Sequence, residues 1–137
     1  MLSINAGQLE EMIAHARAEF PNEACGIVAG RDFKAEKVYK MTNPDKSPES
    51  FSMDTKEQFK VMKEIRKNNW ELLGIYHSHV ASPARPSSRD IELAFYPDAE
   101  YLIISLSDRK KPVVRSFKIT EGKVEEKELK IEDDRDN

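Results

Sequence analysis

The sequence predicts a single α/β (α+β) domain in which helices are interleaved with the strands of one sheet. Two observations predict this class. The chain has 137 residues, which is enough to bury one hydrophobic core and too few for two. Apolar residues recur at helical spacing near the N-terminus and around residue 60, whereas apolar runs typical of strands occupy much of the rest.

The first predicted element is a helix that ends before Pro21, because the residue preceding a proline resists helical geometry. Ser3 or Asn5 can cap its N-terminus. Its apolar positions are Leu9, Met12, Ile13, Ala16 and Phe20. Short strands are predicted to follow at 26–30 and 36–41.

A second helix is predicted to begin at Asp54, which forms a capping-box pattern with Glu57, and to end near Asn68. Between the second strand and this helix, the proline-containing segment 43–48 predicts a turn. The residues expected to face inward from the helix are Phe59, Met62 and Ile65.

The next elements are a strand at 71–79, a loop at 80–86 and a short helix that begins at Ser87 or Ser88 and continues through Phe95. The apolar run at 101–106 predicts a strand buried on both faces. Residues 113–119 and 124–131 alternate apolar and polar side chains, so each is predicted to be a one-sided antiparallel strand.

Charge and cysteine content exclude several classes of protein. Lys and Arg total 22 against 25 Asp and Glu, so no basic excess is available to bind nucleic acid. One cysteine cannot form an internal disulfide. No apolar run approaches the ~18 residues that a membrane span needs, and no secretory signal is visible. We therefore expect a cytoplasmic protein with neither nucleic acid nor membrane as a partner.

Two histidines stand two residues apart at the end of the strand predicted at 71–79. Because side chains alternate along a strand, His77 and His79 project from the same face, and their imidazoles can bind one cation such as zinc. Asp90, in the first turn of the next helix, can supply a third ligand, and three protein ligands with one open position are typical of catalytic zinc. Asp90 also forms a capping-box pattern with Ser87, and the two interpretations are compatible.

A hydrolytic zinc site also needs a base, for which Glu23 is the candidate. From the residues alone, a solvent-exposed carboxylate at the start of a strand is the favoured interpretation of Glu23. Cys25 is expected to be a small buried apolar residue rather than a nucleophile. His15 is expected to be structural or solvent-facing.

Glu23, then His77-x-His79, seven residues and Ser87-x-x-Asp90 resemble the JAMM motif of the MPN+ (JAB1/MPN/Mov34) metalloprotease family. The family includes zinc isopeptidases that act on ubiquitin and ubiquitin-like proteins. The resemblance implies a cytidine-deaminase-like fold with a curved mixed sheet flanked by helices. It assigns Zn²⁺ to His77, His79 and Asp90, the general base to Glu23, and stabilisation of the tetrahedral intermediate to Ser87.

The small size and the segment Pro-Asn-Glu-Ala-Cys-Gly at 21–26 resemble compact prokaryotic members, such as Mec-type hydrolases of sulfur-carrier proteins and archaeal isopeptidases. The implied reaction is hydrolysis of the amide after the C-terminal di-glycine of a ubiquitin-like or sulfur-carrier protein, with zinc-bound water as nucleophile. A groove for this tail is expected between a sheet edge and the loop at 80–86, with the tail bound by strand addition and with Phe51, Met53 and Arg85 as candidate wall residues.

The metalloprotease domain is expected to span 1–120, with 121–137 adding the last strand and an acidic C-terminal tail to the same domain. The alternative function is a non-catalytic MPN-like docking module. A cupin is disfavoured because no later histidine follows His79, and a zinc deaminase is disfavoured because Pro-Cys-x-x-Cys is absent. Oligomeric state is left open, with a homodimer as one possibility.

Overall fold

A mixed sheet flanked by helices organises residues 1–133, which are the residues that the computed structural model describes. The elements in chain order are β1 (Leu2–Asn5), α1 (Ala6–Glu19), β2 (Cys25–Arg31), β3 (Lys34–Met41), α2 (Thr55–Lys67), β4 (Glu71–His79), α3 (Ser88–Glu92), β5 (Glu100–Ser105), β6 (Val113–Thr120), β7 (Lys123–Lys127) and β8 (Leu129–Glu132).

The strands form one sheet in the order β7-β6-β5-β4-β2-β3-β1-β8. The β4–β5, β1–β3 and β1–β8 pairs are parallel, and the other four pairs are antiparallel. Strands β7 and β8 lie at opposite edges, yet only Glu128 separates them in the chain. The sheet must therefore curve until its two edges approach each other, as the family resemblance implies.

The two faces of the sheet carry separate apolar clusters. Met12 and Ala16 of α1 pack on one face with Leu2 and Ile4 of β1. On the other face, Val61 and Ile65 of α2 pack against β2 and β3, and residues around α3 pack against β4, β5 and β6. The strand β5 is buried along its whole length, which confirms the two-sided burial expected from its sequence.

Tyr76 fixes the orientation of β4 from the α1 face. Its ring is fully buried, and its hydroxyl lies 2.7 Å from Nδ1 of His15 on α1. Gly26 gives the ring its space, because a Cβ there would lie 2.1 Å from Tyr76 Cε2. With Tyr76 held on this face, the alternation of β4 turns His77 and His79 towards the α2–α3 face.

The N-terminal prediction is wrong in one respect: the chain begins with the strand β1, not with a helix. Asn5 caps α1 as expected, whereas Ser3 belongs to β1. A four-residue strand has little periodicity, and β1 is defined by its pairing with β8, more than 120 residues later. That pairing is not visible in the local sequence.

Three further details differ from the sequence prediction. Phe59 was expected to face inward, but it is 64% exposed, because the buried residues of α2 are Val61 and Ile65. The helix α3 ends at Glu92 instead of Phe95. The predicted strand at 124–131 is divided at Glu128 into β7 and β8, which pair at different edges of the sheet.

Residues after 120 contribute β7 and β8 to this sheet, and the predicted boundary at 120 stays a prediction. Part of the predicted acidic tail, residues 134–137, lies outside the described residues. None of the helices within 1–133 has the length and apolar character needed to cross a membrane.

Candidate active site

Three side chains meet where β4 ends and α3 begins. His77 and His79 are buried at the end of β4, and Asp90 lies in the first turn of α3. Asp90 Oδ2 is 3.1 Å from His77 Nε2 and 3.0 Å from His79 Nε2. The two Nε2 atoms are 3.2 Å apart. The structure thus brings the three predicted ligands into a nearly equilateral triangle.

The dimensions of this triangle fit a tetrahedral zinc ion. Zinc bonds to imidazole nitrogen and carboxylate oxygen are about 2.0–2.2 Å long, so two ligand atoms at the tetrahedral angle lie roughly 3.3 Å apart. The observed separations of 3.0–3.2 Å are close to this value. Two histidines and one carboxylate also form a donor set that zinc prefers, with a fourth position left for water or substrate.

The hydrogen-bond partners of His79 require a proton or a metal ion at the centre of the triangle. Its Nδ1 lies 2.9 Å from the Pro83 carbonyl, which can only accept, so Nδ1 carries a proton. In the neutral ring, Nε2 then has a lone pair that faces the Asp90 carboxylate, another acceptor. Two acceptors at this distance need a proton or a metal ion between them. The contact with Pro83 is also the kind of hydrogen bond that orients metal-binding histidines.

Asp90 is held as an anion. Burial by itself would raise the pKa of its carboxyl, but hydrogen bonds with His77 and His79 hold the pKa well below its usual range. The Ser87 N–H also donates to Asp90 Oδ2 at 2.9 Å, and Asp90 N–H donates to Ser87 Oγ at 3.1 Å. The residues therefore form the expected capping box, which orients the carboxylate towards the histidines. Ser87 itself is exposed beside the triangle.

His77 is buried against an aromatic ring. The Phe51 ring stacks on it, with centroids 4.6 Å apart and planes at 22°. Its Nδ1 has no hydrogen-bond partner in the described part of the chain. Burial lowers the pKa of His77, partly offset by Asp90, and so favours the neutral imidazole that binds a metal ion.

Glu23 lies across from His79. In the β2–β4 pair Cys25 is opposite His77, and one residue further on the Ser78 N–H donates to the Ala24 carbonyl at 3.0 Å. The next position therefore sets Glu23 opposite His79, on the same face of the sheet. Glu23 is 5% exposed, so its interpretation as a solvent-exposed carboxylate is wrong.

Burial raises the pKa of Glu23 to about 7, with Asp90 adding to this effect and His79 opposing it. A carboxyl group with a pKa near neutrality can both accept and return a proton at physiological pH. The two remaining titratable candidates have other roles: Cys25 is fully buried as expected, with a raised pKa of about 12, and His15 contacts Tyr76.

The raised pKa of Glu23 predicts a pH-dependent stability difference in metal-free protein. Below the unfolded-state pKa near 4.5, Glu23 is protonated in both the folded and the unfolded state, so its burial changes the free energy of unfolding little. Between pH 4.5 and about 7, Glu23 ionises in the unfolded state but stays largely protonated in the folded state. The free energy of unfolding of the wild type therefore falls as the pH rises, whereas that of Glu23→Gln lacks this loss. We expect the variant's advantage in free energy of unfolding to grow by roughly 1–3 kcal/mol between pH 5 and pH 8.

Urea denaturation in the presence of a chelator measures this difference. Glu49→Gln is the matched control, because Glu49 is an exposed carboxylate near Glu23. Its stability difference from wild type is expected to change little across the same pH range. A constant difference between Glu23→Gln and wild type would contradict the raised pKa of Glu23.

An apolar groove with a volume of about 280 Å³ lies next to the triangle. Phe51 and Met53 line it, as the sequence predicts, whereas Arg85 and the rest of the loop at 80–86 are absent from its walls. Phe51, Leu93 and Tyr101 connect this groove to a smaller cavity that reaches His77 and Asp90. The groove therefore lies between α2 and the segment after α3, not beside the loop at 80–86.

Sequence reasoning did not identify Leu93 and Tyr101 as groove residues, nor the buried Asn43. Leu93 and Tyr101 had no signal beyond their apolar character. Asn43 precedes a proline in a predicted turn, and that pattern indicates only local turn geometry.

The chain is similar to known peptidases along most of its length. A family model described as "Prokaryotic homologs of the JAB domain" matches residues 5–120. A CysO-cysteine peptidase of Mycobacterium tuberculosis is 38% identical over 133 residues, which are 96% of this chain and 91% of that protein. A "Probable TtuB-protein conjugate cleaving protease" of Thermus thermophilus is 36% identical over 123 residues, 89% of this chain and 78% of that protein.

Solved structures agree with the fold described above. A solution structure of a Desulfitobacterium hafniense protein is 48% identical and superimposes with a TM-score of 0.88, covering 98% of this chain and 94% of that one. A JAB1/MPN domain protein of Archaeoglobus fulgidus is 18% identical, with a TM-score of 0.65 over 95% of this chain and 98% of that one. At this low identity the second structure supports the fold alone.

Proposed function

The chain belongs to the prokaryotic JAB-domain family, which is the JAMM family that its motif resembles. From this premise we propose that it is a zinc peptidase that acts on conjugates of ubiquitin-like or sulfur-carrier proteins. The predicted JAB1/MPN fold is confirmed. The observation that carries the proposal is the triangle of His77, His79 and Asp90 with the buried Glu23 facing it. The relatives support it, because one is named a CysO-cysteine peptidase and another a protein-conjugate cleaving protease.

His77, His79 and Asp90 are proposed to hold the metal ion. Zinc bound there supplies a water ligand with a pKa of about 7 and polarises the substrate carbonyl. The protein contributes the geometry: the Pro83 carbonyl orients His79, and the Ser87 N–H orients Asp90.

Glu23 is proposed to move the proton. It accepts a proton from the attacking water as the new C–O bond forms, and it delivers that proton to the amine as the C–N bond breaks. One water is consumed, and a carboxylate and a free amine are released. Its near-neutral pKa suits both steps, although a bound cation lowers that pKa by attraction.

Ser87 is proposed to stabilise the tetrahedral intermediate. Its Oγ accepts from the Asp90 N–H, and the hydroxyl proton remains available for the substrate oxyanion. Its exposure at the N-cap of α3 is consistent with access to substrate. Hydrogen bonds of this kind are worth about 2.7–4 kcal/mol in other enzymes.

The substrate's tail is proposed to lie in the apolar groove beside the triangle. A flexible tail that ends in two glycines can enter a narrow site, and apolar side chains upstream of the glycines can bury themselves against Phe51, Met53 and Tyr101. Leu93 and Phe95 are 44% and 72% exposed at the rim, which leaves apolar surface for such a partner. The di-glycine requirement and a cytoplasmic location belong to this proposal.

Conjugate cleavage by the metal-loaded protein tests the function. We expect a CysO–cysteine adduct, a TtuB–lysine isopeptide conjugate, or both to be hydrolysed after the terminal glycine. Chelation is expected to abolish cleavage and added Zn²⁺ to restore it. Mass spectrometry of the products identifies the cleaved bond and separates a single-residue adduct from an isopeptide as the preferred substrate.

The alternative function is a non-catalytic docking module of the same fold. A protein that holds one zinc ion per chain but cleaves neither conjugate, while still binding the carrier protein, would favour this alternative. A protein that binds no zinc would contradict the metallopeptidase proposal directly.

A further inference from the structure

Asn43 uses its full hydrogen-bonding capacity inside the protein. It is 5% exposed, and an amide side chain offers two N–H donors and two acceptor sites. Nδ2 donates to the Glu23 carbonyl at 3.0 Å and to the Ser50 carbonyl at 3.1 Å. Oδ1 accepts from the Asp45 N–H at 3.1 Å and from the Ser52 N–H at 3.2 Å. All four contacts are to main-chain atoms, so Asn43 orders the backbone around it.

Two of these contacts are to the residues that flank Phe51 in the chain. The Ser50 carbonyl and the Ser52 N–H belong to the residues on either side of it, so the amide of Asn43 sets the backbone from which the Phe51 ring projects. That ring stacks on the buried His77. Asn43 therefore determines where an aromatic wall meets one of the proposed metal ligands.

A third contact reaches Glu23. This residue precedes β2, and its main-chain groups bind the segment 43–50: the Glu23 carbonyl accepts from Asn43, and the Glu23 N–H donates to the Ser47 carbonyl at 2.8 Å. Hydrogen bonds at both its N–H and its carbonyl therefore fix the main chain of Glu23 just before β2 begins to pair with β4. The side chain it carries faces His79.

We propose that Asn43 is a positioning residue for the reaction: its amide holds Glu23 and Phe51 in register with His79 and His77. Its effect on turnover passes through Glu23, its effect on the aromatic wall at His77 passes through Phe51, and it is not itself catalytic. The inference rests on the proposed function, because the position of Glu23 affects turnover only when Glu23 transfers protons. Small displacements of a reacting group cost as much as about 100-fold in rate.

Asn43→Asp is the most selective variant, because the side chain keeps its shape and its acceptor oxygen while losing both N–H donors. Asn43→Ser accompanies it, since a serine is uncharged and too short to reach both carbonyls. Ser47→Ala is the matched control in the same segment: it removes a hydroxyl contact with the Glu49 N–H and leaves the Ser47 carbonyl in place. All three are prepared with zinc and without metal.

In the zinc-loaded proteins, we expect Asn43→Asp and Asn43→Ser to keep one zinc per chain and to lower kcat about 10–100-fold, with KM changed less than threefold. In a Glu23→Gln background, Asn43→Asp is expected to lower kcat less than threefold further, because its effect passes through Glu23. In the metal-free proteins, amide exchange is expected to accelerate at Glu23 in both Asn43 variants and at Ser52 in Asn43→Ser, which lacks the acceptor for the Ser52 N–H. The ring-current shift of Phe51 on His77 is expected to diminish in both variants. Ser47→Ala is expected to match wild type in every measurement.

Three results would overturn the proposal. They are full kcat in both Asn43 variants, multiplicative losses in the Glu23→Gln background, or loss of zinc together with activity, which would indicate a merely structural role. The failure of the proposed function has a different signature: Glu23→Gln would itself be fully active, or no conjugate would be cleaved by wild type. An inactive Glu23→Gln beside fully active Asn43 variants would remove only the role of Asn43.

Discussion

Replacing Asp90 with alanine is expected to abolish both metal binding and turnover. The change removes one corner of the triangle and leaves two imidazoles, which bind zinc far more weakly than three ligands. It also removes the side-chain partner of the Ser87 N–H at the start of α3. Without metal the attacking water has the much higher pKa of bulk water, so we expect kcat/KM to fall by at least about 10⁴-fold.

Elemental mass spectrometry and a conjugate-cleavage assay measure the two effects, and His77→Ala is expected to give the same result. Glu92→Ala is the matched control, since it removes an exposed carboxylate from the same short helix. It is expected to keep one zinc per chain and full activity. Turnover by an Asp90→Ala protein that holds zinc at wild-type stoichiometry would exclude Asp90 as a necessary ligand.

Glu23→Gln is expected to keep the metal ion and to lose activity. The glutamine has nearly the same shape but cannot accept a proton, so the ligands His77, His79 and Asp90 are unaffected while proton transfer is lost. We expect kcat to fall about 10²–10⁴-fold at pH 7. Single-turnover measurements with zinc-loaded protein isolate this step from substrate binding.

The control for this variant is Glu49→Gln, which alters a nearby exposed charge without changing the buried carboxyl. It is expected to retain activity within a factor of about three, because exposed charges are well screened. If Glu23→Gln retained wild-type turnover with one zinc per chain, another group would have to act as the base. The expected loss of turnover in Glu23→Gln, together with its expected stabilisation above pH 7 in the metal-free protein, would show that Glu23 is kept at a cost to folding.

Much of the site could be predicted because its orientation rules are local. The two-residue period of β4 puts His77 and His79 on one face whatever the strand packs against. The pattern Ser87-x-x-Asp90 forms its capping box within four residues, and the box itself turns the carboxylate back towards the loop. Short-range geometry of this kind can be inferred from the amino-acid order alone.

Other parts of the structure could not be predicted because they depend on contacts between distant segments. The first strand, β1, exists through its pairing with β8, and Phe59 is exposed because Val61 and Ile65 reach the sheet instead. From the residues alone, Glu23 was expected to be exposed to solvent, and the β2–β4 register was needed to place it opposite His79. Asn43 had no distinguishing signal beyond a turn.

Residue type and short spacing were enough to predict the alternation of helices and strands, the candidate metal ligands and the family motif. Three features became visible only in the folded chain: the three ligand atoms converge within about 3 Å, Glu23 is buried opposite His79, and the groove lies between α2 and the segment after α3. Burial and a pKa near 7 arise from atoms that folding brings together from distant parts of the chain. The hydrogen bonds between Ala24 and Ser78, which lie 54 residues apart in the sequence, align Glu23 with His79.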